Sequence, residues 1–103
     1  MKPERHCKNI FRAANYFGAE AQICKTVEEV GELLAVLGRA QNGDFDEENL
    51  IEEIADVYNM LDQLCYLFDI LRAVEDVAMQ KMERTIARIE DGVIHETLQN
   101  LDG

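Results

Sequence analysis

An apolar stripe at helical spacing, between Leu50 and Phe68, constrains the fold of this chain most strongly. Its side chains recur every three or four residues, which is the period of a helix and not of a strand. They are Leu50, Ile54, Val57, Leu61, Leu64 and Phe68. The only proline is Pro3, so no proline interrupts a helix later in the chain. The pattern predicts a long helix over about Asp46 to Phe68.

The same period predicts three further helices, over about Pro3 to Tyr16, about Ala19 to Gln41 and about Leu71 to Glu90. Gly18 is the expected terminator of the first, and Asn42-Gly43 is a turn signal after the second. The last is expected to end at Asp91-Gly92, leaving residues 93–103 as a short further helix or a C-terminal arm. We therefore expect an all-α fold, a four-helix bundle in one domain of residues 1–103.

The distribution of charge limits the kinds of ligand this chain can bind. The formal net charge is -11, which disfavours general binding to DNA or RNA, because phosphate neutralisation needs a basic surface. No basic residue lies between Arg39 and Arg72, a span that contains nine acids. They are Asp44, Asp46, Glu47, Glu48, Glu52, Glu53, Asp56, Asp62 and Asp69. A phosphorylated ligand could approach this span only with a divalent cation between them.

The three cysteines, Cys7, Cys24 and Cys65, show no CxxC spacing, so neither a disulfide framework nor a zinc site is predicted. They suit a reducing compartment. The N-terminal residues MKPERHCK lack the apolar run of a signal peptide, and no segment reaches the roughly 20 apolar residues of a membrane span. We expect a cytoplasmic protein that does not bind membranes.

Two acids lie where the third helix should be apolar. At about 100° per residue, Glu53 falls between Leu64 and Met60, and Asp56 borders the same edge. An acid in such a place is costly unless a cation meets it. Other polar residues of this helix are expected on its opposite, solvent-facing side. They are Glu52, Asn59, Asp62 and Asp69.

The second helix offers a matching pair of acids. Glu29 and Glu32 are three residues apart and share a face, with Lys25 one turn before Glu29. If the second and third helices form an antiparallel hairpin, their axes lie about 8–10 Å apart and the two acid pairs converge. Mg²⁺ or Mn²⁺ suits such a set, since both take carboxylate oxygens and keep waters that a phosphate can replace. The alternative for either pair alone is an ordinary solvated helix face.

The segments KTVEEVGELLAVL and EEIADVYNMLDQL resemble the paired EExxE and ExxD signature of the MazG-type, all-α nucleoside triphosphate pyrophosphohydrolases. The resemblance covers about residues 17–68, with a weaker similarity in KMERTIARI, residues 81–89. It implies that Glu29, Glu32, Glu53 and Asp56 are the catalytic Mg²⁺ ligands. It also implies cleavage of an NTP or dNTP between the α and β phosphates, giving the monophosphate and pyrophosphate.

Negative charge that remains in the transition state of such a reaction calls for nearby cations. The candidates for substrate binding are Lys25, Lys81 and Arg84, with Asn59 as a weaker one. The alternatives are that Lys25 only pairs with Glu29 and that the basic residues at 81, 84 and 88 form a solvated stripe. On the helical projection Asn59 points away from Glu53, which counts against it within one subunit.

The third helix is apolar around most of its circumference, and the second carries a seam of small residues, Cys24, Gly31, Ala35 and Gly38. Both features predict a homodimer or homotetramer. A rival to the enzyme is a non-catalytic acidic helical module that oligomerises or binds a metal or a basic protein. A di-iron bundle is disfavoured, because neither His6 nor His95 lies in a Glu-x-x-His motif.

Overall fold

The computed structural model describes the backbone of residues 2–102 and the side chains of residues 2–93 and 96–100. These residues form four α-helices and no strand. The helices are α1 (Glu4–Phe17), α2 (Ala19–Gln41), α3 (Glu47–Leu67) and α4 (Leu71–Asp102). The all-α prediction is confirmed.

The boundaries of the first three helices follow from local chemistry. Gly18 adopts φ 85° and its N–H donates to the carbonyl of Ala14, which ends α1 in a conformation that favours glycine. Gly43, at φ 89°, makes the turn after α2. Asp46 caps α3, since its Oδ1 accepts a hydrogen bond from the N–H of Asn49 at 3.1 Å. The first turn of α3, which is rich in acids, is thus stabilised by the side chain of the residue that precedes it.

Helix α3 ends in a Schellman motif built on an aspartate. Asp69 adopts φ 52°, in the left-handed region that few residues other than glycine, asparagine and aspartate visit. The N–H of Ile70 donates to the carbonyl of Cys65 at 3.0 Å, and the N–H of Asp69 donates to that of Tyr66 at 3.2 Å. These bonds satisfy carbonyls that a helix end otherwise leaves open.

Helix α4 is longer than its sequence suggested. The expected end at Asp91-Gly92 is wrong, because α4 continues through Gly92 to Asp102. Residues 93–102 are therefore part of α4 and not a separate helix, and the C-terminal arm stays a prediction. A glycine costs a helix about 1 kcal/mol relative to alanine but keeps its N–H, and no proline follows. None of the described helices has the length and apolarity needed to cross a membrane.

The chain divides into two compact units, Met1–Ile70 and Leu71–Gly103. In the first, α2 packs against α3 and α1 packs on both. Its core is small: the buried apolar residues are Ile10, Ala14, Val36 and Met60. The second unit is α4, whose described apolar side chains, up to residue 93 and over residues 96–100, are exposed, among them Val74, Met82, Ile86 and Ile89. The single domain of residues 1–103 and its bundle arrangement stay predictions.

Candidate functional site

Helices α2 and α3 run antiparallel, with the turn at Asn42-Gly43 between them. Their pairing brings four acids together: one carboxylate oxygen from each lies within 4.8 Å of the others. The four are Glu29 and Glu32 from α2 and Glu53 and Asp56 from α3. The i,i+3 spacing in each helix places both members of a pair on the face that meets the other helix. We call this set the carboxylate cluster.

The cluster is partly buried. Glu29 is only 7% exposed and Glu53 is half-buried, whereas Glu32 and Asp56 are exposed. One oxygen of Glu29 and one of Glu53, the Oε2 atom in each case, are buried and accept no hydrogen bond from any described residue. A buried carboxylate oxygen without a donor is unfavourable, because it has lost water and gained nothing in exchange.

The carboxylates also act on one another. The charge on Glu29, followed by that on Glu53, raises the pKa of Glu32, with smaller contributions from burial and from hydrogen bonds to the same two residues. Like charges close together disfavour ionisation, so the direction of this shift reports mutual repulsion. The electrostatic environment of the cluster therefore favours an added positive charge.

Lys25 is the cation that the chain places beside the cluster. Its Nζ lies 3.2 Å from Oε1 of Glu29 and 3.5 Å from Oε2 of Glu28. The hydrogen bond to Glu29 and the charges of both glutamates raise the pKa of Lys25. This ion pair is the contact that the sequence offered as the simpler alternative to phosphate binding. It occupies one oxygen of Glu29 and leaves the buried one unpaired.

Of the other predicted substrate contacts, one belongs to the same unit as the cluster and two belong to the second unit. Asn59 is half-buried on α3, and its backbone carbonyl accepts a hydrogen bond from Nε2 of Gln63 at 3.3 Å. Lys81 and Arg84 are exposed on α4, in the second unit. Their part in binding a substrate stays a prediction.

Among the acids expected on the solvent side of α3, Glu52 is exposed but Asp62 is not free. Asp62 forms an ion pair with Lys2, whose Nζ also lies 3.9 Å from the ring centroid of Tyr58. The expectation that Asp62 simply faces solvent is therefore wrong. A projection of α3 alone cannot show a contact with a residue that precedes α1.

Two buried amides near the cluster were not predicted from the sequence. Gln22 and Gln63 are each 6% exposed, and Nε2 of Gln22 donates to Oε1 of Gln63 at 2.6 Å. A signal was present, since Gln22 lies seven residues before Glu29 and Gln63 seven residues after Asp56. Seven residues are about two helical turns, so each amide shares a face with an acid of the cluster.

The donor set of the cluster consists of carboxylate oxygens, and within the described residues it includes no histidine or cysteine. Such a set suits hard cations such as Mg²⁺ and Mn²⁺ better than zinc or copper. Comparisons of the chain with known protein families, with curated proteins and with solved structures found no match. The cluster is therefore the main feature from which a function can be inferred.

Proposed function

We propose that this protein is a Mg²⁺-dependent nucleoside triphosphate pyrophosphohydrolase, a MazG-like four-helix bundle that acts on the cytoplasmic nucleotide pool. It would hydrolyse an NTP or dNTP to the monophosphate and pyrophosphate. The observation that carries the proposal is the convergence of four carboxylates in which two buried oxygens lack a partner. The EExxE and ExxD pattern of the same residues supports it.

The residues of the cluster would hold the cation. Glu29, Glu32, Glu53 and Asp56 would be its ligands, and the unpartnered oxygens of Glu29 and Glu53 fit this role because a cation would satisfy both. A bound Mg²⁺, or Mn²⁺, neutralises a triphosphate and lowers the pKa of an attacking water. Lys25 holds the other oxygen of Glu29 and so restricts rotation of that carboxylate. The partly buried setting strengthens each of these electrostatic interactions.

The basic residues would complete the substrate site. The side chain of Lys25 is 48% exposed, so its ammonium can also reach a phosphate at the rim of the cluster. Lys81 and Arg84, with Asn59 as a weaker candidate, would supply further contacts to the phosphates. In a chain with a net charge of -11, these few cations are needed where negative charge accumulates.

We further propose that the protein is a homodimer or homotetramer. Apolar side chains of α2 remain exposed, for example Val27 at 68% and Leu34 at 63%. A Cβ added at Gly31 or Gly38 would meet no atom within 4 Å, so the seam of small residues is open. Soluble monomers rarely expose large apolar surfaces, and a second copy would cover these faces and complete the bundle.

Light scattering tests the assembly. We expect a mass of at least two chains of 11.8 kDa at micromolar concentration. A single species with the mass of one chain would contradict the proposal.

The reaction is tested by incubating the protein with a panel of NTPs and dNTPs and Mg²⁺, and by identifying the products. Monophosphate with pyrophosphate is the expected result. Diphosphate with phosphate would contradict the assigned bond. Turnover that persists in excess chelator would contradict the requirement for a divalent cation.

The second candidate is a non-catalytic acidic module that binds a metal or a basic protein. The observations that favour it are the net charge of -11 and the apolar faces left exposed on α2 and α4. Binding of Mg²⁺ without turnover of any nucleotide in the panel would support this candidate over the enzyme.

A further inference from the structure

Outside the carboxylate cluster, the feature that most affects the geometry of the cluster is a buried glutamine pair at the contact between α2 and α3. This contact, the α2–α3 seam, is distinct from the seam of small residues on α2. Nε2 of Gln22 donates to Oε1 of Gln63 across the seam at 2.6 Å. Nε2 of Gln63 donates in turn to the carbonyl of Asn59 at 3.3 Å and lies 3.6 Å from the sulfur of Met60. The pair therefore ties the two helices together through side chains that water barely reaches.

The spacing of the pair relates it to the cluster. Gln22 precedes Glu29 by seven residues, and Gln63 follows Asp56 by seven residues. In an antiparallel hairpin these two offsets run in the same direction along the helix axes. The glutamine pair therefore lies on the same side of the hairpin as the cluster, about two turns or roughly 10 Å along the axes from it. Any sliding of α2 along α3 would separate the glutamines and the carboxylates by the same amount.

The seam needs such a constraint because its other contacts do not define one position. Apolar side chains such as Val36 and Met60 can re-pack after a slip of one turn, and the carboxylates repel one another when no cation is bound. A buried amide pair behaves differently, since a slip breaks the bond between the two side chains and leaves Nε2 of Gln22 and Oε1 of Gln63 without that partner. A single buried polar pair is a well-attested way to fix the register of packed helices.

We infer that Gln22 and Gln63 are positioning residues that set the register of α2 against α3 and thereby hold the four carboxylates at cation-binding distance. This inference rests on the proposed function for its metal-binding consequence. The register itself is a property of the seam and can be measured without any metal.

The test separates stability from position by replacing one or both glutamines with leucine. Gln22→Leu alone leaves the buried Oε1 of Gln63 without its donor, and Gln63→Leu alone leaves the buried Nε2 of Gln22 without its acceptor, so each should lower the melting temperature. The double variant removes both amides and should recover the melting temperature, because paired apolar side chains can replace a buried polar pair. Its affinity for Mg²⁺, measured by calorimetry, should nevertheless fall about tenfold or more. If the leucine pair does not fold, Gln22→Met with Gln63→Met provides a more adaptable apolar pair.

Thr26→Val is the matched control. Thr26 is also buried on α2, but its hydroxyl donates to the carbonyl of Gln22 within the same helix at 2.6 Å and does not cross the seam. It should therefore leave the affinity for Mg²⁺ within about twofold of wild type.

A second readout reports the register directly. Spin labels at Glu20→Cys on α2 and Glu52→Cys on α3, both exposed positions, give an inter-helix distance once the native cysteines are replaced by alanine. Labelled chains are diluted with unlabelled ones so that distances within one chain dominate. The double leucine variant should broaden this distance or shift it by about one helical turn, 5.4 Å.

An unchanged distance together with Mg²⁺ affinity within twofold of wild type would overturn the inference. If the wild-type protein binds no Mg²⁺, the proposed function fails, and the spin-label distance alone still decides whether the glutamines set the register.

Discussion

Helix α3 carries acids on two of its sides, and the chain neutralises them differently. Asp62 is paired with Lys2, a cation supplied from the start of the same chain. Glu53 and Asp56 instead face further acids from α2, and one oxygen of Glu53 has no partner among the described residues. The first arrangement is complete in itself. In the second, Lys25 pairs with one oxygen of Glu29, and the buried Oε2 atoms of Glu29 and Glu53 stay unpartnered. On the proposed function, a cation from solution would satisfy these two oxygens.

The contrast is sharper because both sides are partly buried. The side chains of Lys2 and Asp62 are 27% and 22% exposed, so water reaches this ion pair only in part. Glu29, at 7% exposed, is more deeply buried and yet less fully satisfied. Burial alone therefore does not explain which carboxylate oxygens have a partner among the described residues and which have none.

The largest expected effect is the loss of activity when an acid of the cluster, and not a neighbouring acid, is replaced. Glu53→Gln and Asp56→Asn should each lower turnover by about two orders of magnitude or more, roughly 2.7 kcal/mol of transition-state stabilisation, because each removes a ligand oxygen. Glu52→Gln is the matched control, since Glu52 is adjacent but exposed and outside the cluster. It should change turnover little. Steady-state pyrophosphate release decides the point, provided that circular dichroism shows all variants folded. Equal damage from Glu52→Gln would mean that the faces are wrongly assigned.

The next effect concerns stability. Mg²⁺ at 100 times its dissociation constant should raise the free energy of unfolding by about 2.7 kcal/mol, because it binds the folded cluster and not the unfolded chain. Thermal melts with Mg²⁺ and with chelator measure this response. Glu53→Gln should weaken it, whereas Asp62→Asn should preserve it. A wild-type melting temperature that does not respond to millimolar Mg²⁺, with or without nucleotide, would remove the basis for a metal site.

A smaller effect on stability is expected from the ion pair of Lys2 with Asp62, on the other side of α3. Lys2→Met should lower the free energy of unfolding by up to about 1 kcal/mol, because it leaves Asp62 without its cation. Turnover and the response to Mg²⁺ should stay at wild-type values. Urea unfolding of Lys2→Met, Asp62→Asn and the double variant measures the coupling between the two residues. Losses that simply add in the double variant would show that the pair contributes no interaction energy.

The smallest effect is on pH dependence. Burial opposes the charge on Lys2, but the hydrogen bond and charge of Asp62, aided by Tyr58, outweigh it and raise the pKa of Lys2 above 10.5. The stabilisation by this pair should therefore be complete below that pH and be lost as the pH rises through the higher, folded-state pKa. Unfolding of wild type and Lys2→Met should differ at pH 8 and converge at more alkaline pH. A difference that stays constant over this range would contradict the ionic origin of the stabilisation.

The sequence predicted what depends on helical period and on neighbours along the chain. The predicted bounds of α2 match the structure, since they are set by residues a few positions apart. The four carboxylates meet because i,i+3 spacing places each pair on one face of its helix and a short turn reverses the chain between them. The continuation of α4 past Gly92 was missed, because a glycine weakens a helix without ending it.

What the sequence could not predict depends on contacts between distant segments. The ion pair of Lys2 with Asp62 joins residues sixty positions apart, and the glutamine pair joins residues forty-one apart. The small core of the first unit was also unexpected, since an apolar stripe shows which side chains avoid water but not what covers them. These features need the path of the whole chain.

The two unpartnered oxygens, on Glu29 and Glu53, limit the stability that this protein can reach without a bound cation. A buried carboxylate beside other carboxylates destabilises the cation-free fold, so on the proposed function these positions would trade stability for ligand binding. Selection for heat resistance in the presence of a chelator should replace them before most other residues. Selection for activity should keep both. Residues 29 and 53 are therefore the positions at which laboratory evolution for stability and for function should pull in opposite directions.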